Sequence, residues 1–138
     1  MAAEQISALN HRGLLDQNKV PMFERAHRNF FSLPNELFFL NIGHGAITVY
    51  AYLLYCEDRW THQCHPSYRT ISDVVHLTVS TVMKHITKLA DRQFITVEST
   101  SYIDKRGMKW NGNNLYTILP IQMSVNHCYQ QQLLRLEA

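Results

Sequence analysis

Residues 70–89 read Thr70-Ile71-Ser72-Asp73-Val74-Val75-His76-Leu77-Thr78-Val79-Ser80-Thr81-Val82-Met83-Lys84-His85-Ile86-Thr87-Lys88-Leu89, and their apolar rhythm breaks once, at His76-Leu77-Thr78. Beyond the break, Val82, Ile86 and Leu89 stand at i, i+4 and i+7, the spacing of one helix face. Thr78 is placed to cap that helix, since a threonine hydroxyl accepts from an N–H of the first turn that has no partner inside the helix. Before the break, Pro66-Ser67 gives a helix-start signal for a short segment, about 67 to 75, that buries Tyr68, Ile71 and Val74 or Val75. Two helices joined by a turn of about three residues are therefore expected.

If Val82, Ile86 and Leu89 point inward, the opposite face carries Val79, Ser80, Thr81, Lys84, His85 and Lys88, with Thr78 at its start. Serine and threonine hydroxyls at a helix start suit phosphate oxygens or base edges, and the helix N-terminus itself favours an anion. Lys84 and Lys88 lie one turn apart. On a lone helix these are ordinary solvated lysines; a strand and a basic turn downstream give them more weight.

Past Arg92 the period drops to two, with Ile95 and Val97 on one side and Thr96 and Glu98 on the other, as in a strand. Asp104-Lys105-Arg106-Gly107 has turn chemistry, and residues 114–119 read as the returning strand that Pro120 ends. The tip and its neighbour supply Lys105, Arg106 and Lys109, while Trp110 is expected to pack on the sheet. Between Met83 and Trp110 six Lys or Arg face three acids, a local balance of +3 within a chain of net charge +2.

Toward the N-terminus, Ala46, Ile47, Tyr50, Leu53 and Leu54 recur at helical intervals after Gly43. Val49, Ala51 and Tyr55 widen the stripe, as for a central helix packed on two sides. Residues 60–65 read as a polar loop. Phe30-Phe31-Ser32-Leu33-Pro34 is a short apolar segment followed by a single helical turn at 35–40. Residues 1–28 are mixed and polar, with Gly13 and Pro21, and suggest an arm. At the other end, residues 121–138 suggest a helix carrying Val125, Cys128, Tyr129, Leu133, Leu134 and Leu136, suited to capping the domain or pairing with a second copy. The order helix, helix, turn, helix, hairpin defines the expected fold class: mainly α with a small β-hairpin wing (α+β), a winged helix-turn-helix over residues 29–120.

Composition narrows the function. With 46% hydrophobic and 17% charged residues in 138, the chain has the makings of one folded domain. Its most apolar stretch, 46–56, falls short of the roughly 20 residues that cross a bilayer, and residues 1–5 lack a secretory pattern, so a cytoplasmic protein is expected. Cys56, Cys64 and Cys128 are odd in number and irregularly spaced, as free thiols are. Cys56, His62, Cys64 and His65 raise a zinc reading, but no paired C-x-x-C spacing supports it; no metal and no cofactor are expected. The absence of a phosphate-cradling glycine loop, a nucleophile elbow or a His-Glu-x-x-His helix argues against an enzyme.

Residues 70–89 resemble the helix-turn-helix of bacterial winged-helix proteins. Together with Phe31-Ser32-Leu33-Pro34, the 46–55 helix, Pro66-Ser67 and Asn114-Leu115-Tyr116, they resemble the N-terminal domain of RepA-type replication initiators and related proteins of plasmids, phages and integrative elements, over about residues 29 to 120. That family commonly has glycine where His76 and Gln93 stand, the first at a turn position favouring positive φ, which histidine tolerates. The resemblance implies sequence-specific binding of double-stranded DNA by an initiator or transcriptional regulator, as a homodimer, with replication or transcription proteins as further partners. Ser80, Thr81 and Lys84 would read the major groove, and Lys88, Lys105 and Arg106 would anchor phosphates. The alternative is a winged helix that docks proteins within a replication complex, with which the apolar Val79 is compatible.

Overall fold

After Pro34, whose backbone is extended, Asn35–Phe39 makes a turn of 3-10 helix that buries Leu37. The computed structural model describes residues 30–137, so the expected arm at 1–28 lies outside the described residues. All elements below belong to one compact unit, Leu33–Ala138.

Helix α1, His44–Cys56, starts after Gly43, whose φ of 86° suits a residue without Cβ. It buries Gly45, Ala46, Val49, Tyr50 and Leu53, with Ile47, Tyr52, Leu54 and Cys56 packed at the edge of the same core. This is the broad stripe of a central helix. Asp58 then shapes a tight loop: its Oδ1 accepts from the N–H groups of Trp60 at 2.7 Å and Thr61 at 3.1 Å. The loop returns as β1, Gln63–Cys64, where a polar loop was expected. Two residues show no alternation, so this strand is visible only through its partners, Thr117 and Tyr116.

Helix α2, Tyr68–Val75, is capped by Ser67, whose side chain accepts from the N–H of Thr70. Ile71 is fully buried and Val74 half exposed, so Val75 is the valine that meets the core. His76 ends α2 in the left-handed region at φ 58°, and Ser72 Oγ donates to the Leu77 carbonyl at 2.5 Å to fasten the turn. Helix α3, Val79–Asp91, starts from Thr78, whose side chain accepts from the N–H of Thr81. Val82, Ile86 and Leu89 are all buried, as their spacing requires. The exit from α3 is a Schellman turn: Gln93 has φ 66°, its N–H reaches the Ala90 carbonyl, and the N–H of Phe94 reaches the Leu89 carbonyl.

Strand β2, Ile95–Glu98, pairs antiparallel with β5, Leu115–Ile118, in the register Ile95↔Ile118 to Glu98↔Leu115; β1 adds to the other edge of β5. The hairpin between β2 and β5 continues as a separate ladder, β3 Ser101–Ile103 against β4 Lys109–Asn111, with Tyr102 opposite Trp110. The two ladders meet at a joint where the N–H of Gly112 donates to the Thr100 carbonyl and Thr100 Oγ1 donates to the Asn113 carbonyl. Helix α4, Ile121–Glu137, closes the described chain. Ser124 is buried and its Oγ donates to the Gln93 carbonyl at 2.9 Å, while Ile121, Val125 and Cys128 pack on the core. No helix among the described residues is long and apolar enough to cross a membrane. The fold is α+β, a winged helix-turn-helix.

Candidate nucleic-acid interface

The solvent face of α3 carries Val79, Ser80, Met83, Lys84, Thr87 and Asp91, all exposed. At its N-terminus three hydroxyls form a cluster: Thr78 Oγ1 lies 2.8 Å from Thr81 Oγ1 and 3.3 Å from Ser80 Oγ. The first N–H groups of a helix have no acceptor within it and leave a partial positive charge there, so Thr78, Val79 and Ser80 present donors to an anion. Thr81 is the half-buried member of this cluster.

Two residues expected on this face belong elsewhere. His85 is half-buried against α1, where a Cβ added to Gly45 would collide with the ring at Nε2. Burial, with smaller contributions from Lys88 and His44, holds its imidazole below the usual histidine range. Lys88 Nζ donates to the Ile42 carbonyl at 2.8 Å, so the ammonium expected to anchor a phosphate is occupied by the chain itself. Arg92 extends the row, its Nη1 donating to the carbonyls of Leu40 and Asn41, both at 3.1 Å. His85, Lys88 and Arg92 stand at i, i+3 and i+7, one helical stripe beside the apolar one, and that stripe is seated on residues 40–45. Assigning every polar residue of α3 to solvent overlooks this second inward stripe.

Conversely, Met83 and Thr87 were not among the expected contacts. They lie at i+3 and i+7 from Ser80, a signal the sequence contained. Thr87 Oγ1 donates back to the Met83 carbonyl at 3.0 Å, which leaves its methyl group on the surface.

In the wing, Lys105, Arg106 and Lys109 are exposed as expected, and Asp104 organises the tip that displays them. Its Oδ1 accepts from the N–H groups of Arg106 at 2.8 Å and Met108 at 3.0 Å, and its Oδ2 accepts from the indole of Trp110 at 2.9 Å. Gly107, at φ 79°, completes the turn with its N–H on the Asp104 carbonyl. The Trp110 bond, followed by the backbone donors, holds the Asp104 carboxyl below the usual carboxylate range. Trp110 lies in the β3–β4 ladder opposite Tyr102 and is half exposed, so it is not part of the buried core.

Of the residues of the zinc reading, Cys56, Cys64 and His65 line one pocket together with Asp58. Cys64 is buried with its Sγ 3.6 Å from the Leu53 carbonyl, and burial pushes its thiol up to about 12. His62 Nδ1 instead lies 3.5 Å from Glu57 Oε2. Among the described residues no three His, Cys, Asp or Glu side chains are grouped to hold a metal.

Residues 40–95 match the family model of a helix-turn-helix domain. The matched helix-turn-helix segment runs from the end of the 3-10 turn through α3 to the first residue of β2; the wing ladder and α4 lie beyond it. Among solved structures, a possible transcriptional regulator from Methanosarcina mazei Go1 is 21% identical, with 71% of this chain and 76% of that chain covered and a TM-score of 0.46. Comparison with curated proteins finds no match.

Proposed function

We propose that this domain binds double-stranded DNA as a sequence-reading regulator, with α3 in the major groove and the wing on the adjacent backbone. The observation that carries the reading is the exposed row Ser80, Met83, Lys84 and Thr87, which begins at a hydroxyl-rich helix start and is followed in the chain by a basic hairpin tip. Ser80 and Lys84 suit base edges, and the methyl groups of Met83 and Thr87 suit the thymine methyl. Lys105, Arg106 and Lys109 suit phosphates, as do the N–H groups at the start of α3.

The test is selection of bound duplexes from a random pool, followed by affinity measured against salt. Four cationic contacts give a slope of log affinity on log salt of about −3 to −4. Absence of any enriched sequence removes the specificity claim, and a flat salt response removes the DNA reading.

The finer proposal is an initiator-like or regulatory role in a plasmid, phage or integrative element, resting on the resemblance over residues 29 to 120. Selected sites that recur as direct repeats in a replication origin support initiation; sites overlapping a promoter support transcriptional control. A homodimer through α4 is the matching assembly, supported by the exposure of Tyr129, Leu133, Leu134 and Leu136 along its second half. Sedimentation equilibrium tests it.

A second reading, a protein-docking winged helix, draws on Val79 and Met83, two exposed apolar side chains on the same face of α3. Apolar docking responds little to salt, so the salt titration separates the two.

A further inference from the structure

A pocket of about 350 Å³ lies between the 3-10 turn, the C-terminal end of α3 and helix α4, a volume at the low end of small-molecule sites. The exposed Phe39 and the half-buried Cys128 give it apolar walls beside the buried Leu40 and Phe94. Two arginines line it, Arg92 at the end of α3 and Arg135 on α4, and Asp91 is the carboxylate among the lining residues. We propose that this pocket binds a small amphipathic monoanion: a carboxylate or sulfonate with an aromatic or acyl body.

The chemistry of Arg92 defines the head group. Its Nη1 is spent on the carbonyls of Leu40 and Asn41, and a guanidinium has five N–H donors in one plane. The Nε and Nη2 edge makes no hydrogen bond among the described residues, and two parallel donors on one edge match the two oxygens of a carboxylate. Charge sets the valence: of the lining residues, Arg92 and Arg135 against Asp91, with His127 counted as neutral, leave one formal positive charge, which a monoanion neutralises. The body of the ligand is set by Phe39, which lines the pocket and is largely exposed, because a bare inorganic anion would leave that apolar surface unfilled.

Position gives the site a consequence. Arg92 and Lys88 together fasten α3 to the carbonyls of Leu40, Asn41 and Ile42, so a ligand on Arg92 bears on the seating of α3. On the reading of α3 as the DNA-contacting helix, and only on that reading, the ligand is an effector of DNA binding.

The experiment titrates the full chain with 8-anilinonaphthalene-1-sulfonate, a fluorescent monoanion with an aromatic body, and then competes it with phenylbutyrate. The expected result is a saturable rise with one site per chain, reversed by phenylbutyrate. Arg135→Ser, a substitution on an exposed turn of α4, weakens it about tenfold; Cys128→Trp, which fills the pocket, abolishes it. Arg135→Glu does the same should the tryptophan variant fail to fold. An unsaturable rise, or one that the Arg135 variants leave unchanged, places the dye on other apolar surface and overturns the site.

With the site established, saturating phenylbutyrate is expected to move the affinity for a pool-selected duplex at least about fivefold. Unchanged duplex affinity overturns the effector role and leaves the site. Failure to bind any duplex overturns the DNA reading and the effector role with it, while the dye titration still decides the site.

Discussion

The ammonium of Lys88 lies 2.8 Å from the carbonyl oxygen of Ile42, across the seam between α3 and the segment that leads into α1. Arg92 repeats the arrangement one turn later on Leu40 and Asn41, so the recognition-like helix is held by polar clamps on one flank and by Val82, Ile86 and Leu89 on the next. The clamps supply donors to three successive carbonyls, those of Leu40, Asn41 and Ile42. They also fix how far the opposite face, with Ser80 and Lys84, stands out from the domain.

Lys84 and Lys88 are therefore expected to part company on substitution. Lys84→Ala leaves thermal stability unchanged and reduces the salt slope of duplex binding by about 1. Lys88→Ala leaves the slope unchanged and costs about 1 kcal/mol of stability, since a half-buried charge-assisted hydrogen bond is lost, or about 5 °C in Tm. Thermal melts and salt titrations of both variants check this; a shallower slope for Lys88→Ala returns that lysine to the interface.

Gly45 and His85 fit closely together at the α1–α3 seam. In a helix, alanine in place of glycine ordinarily stabilises by about 0.5–1 kcal/mol, but here the methyl group would collide with the imidazole. Gly45→Ala is expected to destabilise, by about 1–3 kcal/mol for an overpacked contact, whereas in a His85→Ala background it stabilises. A double-mutant cycle with no coupling between the two positions contradicts that seam.

The imidazole of His85 also makes the seam sensitive to pH. Burial first, then Lys88 and His44, lowers its folded value, so below the ordinary value of about 6.5 the unfolded chain takes up the proton first. Stability from this group is present at neutral pH and is lost as pH falls through about 6.5 toward the folded value. Wild-type protein should lose more Tm than His85→Gln between about pH 7.5 and 5.5. Equal losses exclude His85 as the source.

The legible part of the sequence is its periodic part. Val82, Ile86 and Leu89 announce the inward face of α3, and Ser67 and Thr78 announce two helix starts, because capping and helical spacing are local physics. Lys105, Arg106 and Gly107 announce the tip for the same reason. The inward turn of His85 and Lys88 is hidden because it depends on where residues 40–45 pass, and a polar residue that seats itself on distant carbonyls looks like one facing water. β1 is hidden because Gln63 and Cys64 become a strand only beside Thr117 and Tyr116. Trp110 stays out of the core because its strand pairs outside the β1–β5–β2 sheet, and its indole N–H donates to the carboxylate of Asp104 in the turn between β3 and β4.

Gln93 occupies a left-handed position, φ 66°, at the end of α3, where an L side chain costs roughly 1–2 kcal/mol. Glycine removes that cost but loses more chain entropy on folding, so Gln93→Gly is expected to stabilise by about 0.5–1 kcal/mol, a rise of a few degrees in Tm. Gln93→Val, β-branched at a position that excludes it, should lower Tm. Melting curves decide; a glycine variant less stable than wild type means that the Gln93 side chain contributes more than its backbone costs.

Asp104 should govern the order of the wing without governing the fold, because its partners Arg106, Met108 and Trp110 all lie in the projecting β3–β4 hairpin. In a Trp60→Phe background, where Trp110 is the remaining tryptophan, Asp104→Ala is expected to shift emission to the red and to weaken duplex binding several-fold while Tm stays constant. The pH dependence follows from the depressed carboxyl: the ordered tip is present above the ordinary aspartate value of about 3.9 and is lost only as pH falls through the lower folded value. The emission of the Asp104-containing protein should therefore hold from neutrality to below pH 4, roughly, and then move to that of Asp104→Ala. Emission that is the same in both proteins at neutral pH shows that the indole does not use this carboxylate, and the wing tip is then ordered by Gly107 and the ladder alone.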